Sequence, residues 1–146
     1  MNEEEMLQRL EEHHRTIGTG LDRIRGYCEG SRPFGLDLER DRSALTEASL
    51  ARSRFVNEEV IPALLVGADD DLRNELSELL HLNTAKRQLS NAHIRDWNPA
   101  TITTDWKGYC AASRTIRAMM EAQIERERRV LVMRLKERSN VAVMRR

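Results

Sequence analysis

Between Glu3 and Cys28 the apolar residues Leu7, Leu10, Ile17, Leu21, Ile24 and Cys28 recur at gaps of three and four, and the one slot left over, position 14, holds a histidine. That spacing returns to one face every heptad and describes the narrow seam of a helix packing against other helices. An imidazole on such a seam has two readings. It is either a buried ring hydrogen-bonded across a bundle, or a ligand for something held in the core.

The rest of the chain follows the same pattern. Its 146 residues are the size of one domain, so residues 1–146 are read as a single unit. Charged residues make up 33% and aromatics 4%, with three prolines and seven glycines, a balance that favours helix over sheet. No apolar run approaches the ~18 residues needed to span a bilayer. The start, Met-Asn-Glu-Glu-Glu, is the opposite of a signal peptide's basic-then-apolar opening. The expectation is a cytoplasmic protein with no membrane partner. A net charge of zero gives no global field for nucleic acid.

Asn2, with Glu5 three residues on, has the spacing of a capping box, and the acidic first turn suits the helix dipole. The first helix is predicted over about 3–28, and Gly18, Gly20 and Gly26 within it point to close packing or bending. Gly30–Gly35 reads as a loop. Asp37 is the expected cap of a second helix over 37–66, with Leu38, Leu45, Ala48, Phe55, Val56, Val60 and Leu64 inward, Pro62 kinking or ending it and Gly67 beyond its end. Asp69–Asp71 start a third helix over 70–96, stopped by Trp97-Asn98-Pro99. A threonine among Thr101, Thr103 and Thr104 caps a fourth over 103–138, and the last eight residues are expected to fray. Four such helices with short connections predict an all-α, up-down-up-down antiparallel four-helix bundle. Residues 1–12 hold five glutamates against one arginine, and 126–146 hold eight Lys or Arg against two glutamates. In that topology Glu3–Glu5 and Asp69–Asp71 lie at the end where helix 4 is basic, so intramolecular neutralisation is expected, with an anionic partner as the alternative.

With these residues in place the chain resembles the hemerythrin-like, or HHE cation-binding, four-helix bundles. The first helix of that family has His followed by apolar residues three, seven and ten positions on, which His14, Ile17, Leu21 and Ile24 match. Its second and fourth helices carry His-x-x-x-Glu, acidic residues and an apolar pair before proline. Anchored on Pro62, Arg52 falls at that His position and Val56 at the Glu position. In the fourth helix Gln123 falls at the His position and Glu127 at the Glu position, and His81 is nearest to the third helix's own His. The resemblance implies an iron-binding core that meets dioxygen, with His14, Glu59, His81 and Glu127 as the candidate metal ligands. Arg and Val have no lone pair to give a metal, and a guanidinium in the core repels a dication, so the di-iron site is expected to be eroded or altered. Buried on the same seam as Met120 and Leu131, Glu127 needs a partner, and Arg52 across the bundle is the expected one.

The resulting expectation is a hemerythrin-like domain that binds or senses rather than catalyses. The rival is a metal-free helical interaction module that self-associates as a homodimer or docks a protein partner. A third reading keeps a mononuclear site on His14 and Glu127 with water. His13 is expected to be solvated and His93 to be polar surface. Cys28 and Cys110 fall at one end of the bundle, either as a redox pair or as two small buried residues. No phosphate-cradling glycine motif, Cys-x-x-Cys pair or nucleophile elbow is present.

Overall fold

The computed structural model describes residues 1–30 and 35–145, so residues 31–34 of the expected loop lie outside the described residues. Every regular element among the described residues is helical. Helix α1 spans Glu3–Glu29 and is capped by Asn2, whose side chain accepts from the Glu5 N–H at 2.8 Å. Helix α2 covers 36–65 as Leu36–Phe55, a wide π turn over Val56–Val60, and Ile61–Leu65. Helix α3, Asp70–Asp96, is capped by Asp69 accepting from the Leu72 N–H at 2.8 Å. A short α4, Pro99–Thr104, precedes α5 over 106–144, which carries its own π turn at Arg128–Val132.

Local chemistry explains most of the ends. Gly67, at φ 73°, adopts the left-handed conformation that stops a helix at little steric cost. Pro62 does not end α2, but the regular α-helix gives way to the π turn just before it. The N–H of Ile61, just before the proline, reaches back five residues to the Val56 carbonyl, and the helix continues through this wider turn. Gly35, not Asp37, occupies the cap position of α2, leaving Asp37 in the acidic first turn. The threonines expected to cap the last helix form α4 instead, under an Asn98 cap. Asp105 then caps α5 by accepting from the Gly108 N–H at 2.9 Å. The helical conformation extends into the last eight residues, as α5 runs to Met144.

Side-chain pairs give the order in which the helices meet. His13 packs against Phe55 with the rings tilted and Tyr27 donates to Asp41 at 2.6 Å, so positions rise along α1 as they fall along α2. Between these, a Cβ at Gly20 would sit 3.0 Å from Leu45, which makes Gly20 a close approach, whereas Gly18 and Gly26 face open space. Arg87 pairs with Ser49 and Asn83 with Asn57, giving the opposite sense for α2 and α3 as well. His93 with Tyr109 and Glu78 with Arg126 give the same for α3 and α5. The buried residues fall into three apolar clusters along the long axis. Leu10, Val56, Val60, Leu64, Leu76 and Leu131 are in the largest, Ile17 and Leu21 meet Met120 and Ile124 in the second, and Ile24, Leu38, Ile102 and Tyr109 form the third. Each fully buried leucine contributes roughly 2 kcal/mol by leaving water.

The expected neutralisation of the basic end takes another form. Among the described residues no ion pair joins Glu3–Glu5 or Asp69–Asp71 to it. Arg126 instead pairs with Glu78 at 2.9 Å, and Arg138 donates to the carbonyls of Ala63, Leu64 and Val66, each at 2.9 Å. These are the carbonyls that the end of α2 leaves without helical partners. No helix among the described residues is long and apolar enough to cross a membrane.

Candidate functional site

The seam of α1 carries His14 into the interior, where it is 2% exposed. Its Nε2 lies 2.8 Å from Oε1 of Glu127, a side chain with no exposed surface. The other carboxylate oxygen accepts from the guanidinium of Arg52, itself buried. Three helices therefore deliver one ring, one cation and one carboxylate to a single point, and the Arg52–Glu127 partnership expected from the sequence is present. Since a carboxylate oxygen accepts, the contact is made with the ring N–H at Nε2 donating to it. Nδ1 of His14 has no partner among the described residues. Both π turns begin within a turn of this triad, at Val56 and at Arg128. Such widened turns commonly accompany functional sites.

A second polar chain crosses the interior beside the triad. Gln123 donates to Asn83 at 2.9 Å, and Asn83 donates to Asn57 at 3.3 Å. Lys86 approaches from α3 and is held below the usual lysine range, first by burial and then by the positive charges of Arg126 and Arg52 against the pull of Glu127.

The four candidate metal ligands are not brought together. His14 and Glu127 meet, but Glu59 and His81 are both exposed. Glu59 lies within the π turn, and Leu79 and Asn83, not His81, form the inward face of α3. Among the described residues no group of three or more His, Cys, Asp or Glu side chains is placed to hold a metal ion. The donor set around Glu127 does not fit a di-iron centre. One imidazole and one carboxylate remain, and Arg52 and Lys86 bring positive charge to the place where a dication would need negative charge.

The remaining histidines differ from expectation. His13 is half-buried against Phe55, with ring centroids 5.2 Å apart, and burial is the main cause of its lowered pKa. His93, expected at the polar surface, stacks on Tyr109 at 6.0 Å. Burial, reinforced by the charge of Arg42, pushes it down to about 4, so it is neutral at pH 7. Cys28 and Cys110 are free, half-buried thiols. Burial and a hydrogen bond with Cys28 push the Cys110 thiol up to about 12, which leaves it protonated and a poor nucleophile.

A cavity of about 440 Å³ opens among α2, α3 and α5, with Arg42, Arg87 and Arg117 in its lining beside Ile24, Ile116 and Met120. Arg117 was not among the expected inward residues. Its signal was the run Ser113, Arg117, Met120, Ile124, spaced four, three and four, in which apolar Ile116 is the more obvious choice for the seam. No family model matches the chain, and no curated protein or solved structure matches it either.

Proposed function

We propose that this chain is a hemerythrin-like, up-down-up-down antiparallel four-helix bundle that binds or senses a ligand and does not catalyse a reaction. In this reading an ion-paired triad takes the interior position that a di-iron site has in that family. The observation that carries it is the buried Arg52–Glu127–His14 cluster. The positions at which the resemblance puts ligands, His14, Arg52, Gln123 and Glu127, are all buried polar positions here, and Val56 is fully buried. The opposed order of side-chain pairs between α1 and α2, α2 and α3, and α3 and α5 supports the topology. A buried guanidinium bound to the central carboxylate supports a core without iron, because it supplies the charge that a metal would otherwise supply.

A second reading, a metal-free module that docks a partner or a second copy, is favoured by the apolar residues exposed along the end of α5: Met133, Val141, Val143 and Met144. One preparation separates the two. Protein purified without chelator is assayed for iron and manganese per chain, as wild type, His14→Ala and Arg52→His, and its mass is measured over a concentration series. The expected result is metal far below stoichiometric in the wild type and a constant mass. Near-stoichiometric metal that disappears in His14→Ala would overturn the altered-core reading. A mass that rises with concentration would favour the second reading.

A further inference from the structure

The cavity among α2, α3 and α5 lies apart from the triad and has the makings of a site. Its size, about 440 Å³, falls in the range of small-molecule pockets. Ile24, Leu45, Ile94, Ile116 and Met120 give it an apolar body. Three arginines line it, each tied to a group that also lines it, and Arg117 stands between this cavity and a smaller one beside Cys28 and Cys110. Arg42 lies over the Tyr109 ring at 5.3 Å, Arg87 donates to the Ser49 carbonyl at 3.2 Å, and Arg117 donates through Nε to Ser113 at 3.2 Å.

Arg117 is 7% exposed, yet among the described residues no carboxylate lies within 4.0 Å of it, and the same holds for Arg87. Burying a guanidinium without a counter-charge is costly, and a bound anion would remove that cost. The acidic side chains in the lining are Glu39 and Glu47. Glu39 is already paired with Arg42 at 3.4 Å, and Glu47 is exposed. Counting these against the three arginines, with His93 neutral at pH 7, leaves the lining one positive charge in excess.

We propose that this cavity binds a small amphipathic monoanion, with its carboxylate head on Arg117 and Arg87 and its apolar body along Ile116, Met120 and Leu45. The planar guanidinium fork suits a carboxylate, and the single excess charge suits one negative charge better than two. No triad residue lines the cavity, so failure of this proposal would leave the reading of the core untouched.

The test uses the whole chain and decanoate below its micellar concentration, with decanol, decylammonium and decyl phosphate as head-group controls. Trp97 and Trp106 both pack on Tyr109, which lines the cavity, so tryptophan fluorescence reports occupancy and calorimetry confirms it. Decanoate is expected to bind at least ~10-fold more tightly than decanol or decylammonium, a difference equivalent to one charge-assisted contact. Decyl phosphate is expected to be weaker than decanoate. Arg117→Met should weaken decanoate more than decanol, so that the preference measured within the variant is smaller than in the wild type. Should that variant unfold, Arg87→Met makes the same test from another helix. Equal binding of all four probes, or no binding of any, overturns the proposal. Tighter binding of decyl phosphate than of decanoate overturns the carboxylate assignment.

Discussion

Glu127 shows how one residue's surroundings decide its consequence. Its carboxylate is the only negative group in the triad, held between a ring and a guanidinium in a place with no water exposure. Glu127→Leu would leave Arg52 charged and unpaired, at a cost of ~3–5 kcal/mol. Pairing it with Arg52→Met, which replaces both charges by apolar groups, should recover most of that loss. Urea unfolding followed by circular dichroism checks both values. His93 gives a pH dependence of known sign. Its pKa falls from the ordinary 6.5 to about 4 in the fold, through burial and then Arg42 of α2, with Asp96 on its own helix opposing and Tyr109 of α5 stacked on it. Between those two values the unfolded chain takes up a proton that the folded chain refuses. Stability is therefore full above about 6.5 and drops as the pH falls towards about 4. His93→Phe keeps the stacking and should flatten this slope in urea midpoints between those limits. His13, also lowered by burial, contributes a slope of the same sign.

Among the elements, α2 and α5 depend on each other at the end far from the N-terminus of α2. Arg138 supplies donors to three carbonyls that the last turn of α2 leaves open. Arg138→Ala should cost ~1–3 kcal/mol, since charged donors to otherwise unpaired carbonyls lie in that range. Amide exchange should quicken in 61–65 and in the turn beyond it, more than in α1. The long helices themselves were legible from spacing alone, because the seams of Leu10 to Ile24 and of Leu72 to Leu79 repeat without interruption. Boundaries were less legible. Thr101 to Thr104 resembles a cap, and its apolar content, Ile102, is a single residue, too little to announce a helix of its own. The continuation of α5 past Arg138 rests on Ser139 to Met144, whose apolar residues Val141, Ala142, Val143 and Met144 run together and do not repeat at helical spacing.

At the scale of the whole molecule, the interior was readable where charge demanded a partner and unreadable where it did not. A carboxylate on an apolar seam calls for a cation, and Arg52 is the residue that answers. Arg117 and His93 gave no such demand. A polar residue in register with a seam is indistinguishable, in one sequence, from one that turns to solvent. Glu59 and His81 failed for the converse reason: residue type suited a metal, but phase along the helix pointed them outward. The π turns were hidden too, since a widened turn leaves composition untouched and only shifts the phase of the residues beyond it.

That shift couples the lengths of two rods. A π turn accommodates one residue beyond the ordinary helical count, which advances everything after it by about 100° around the axis. Since α2 and α5 each contain one such turn close to the triad, the segments beyond them, Ile61–Leu65 and Met133–Met144, are both re-aimed, and it is between these two segments that Arg138 meets the end of α2. Lengthening or shortening either rod alone by a single residue would put the two out of step, so changes in their length are tolerable only as matched pairs.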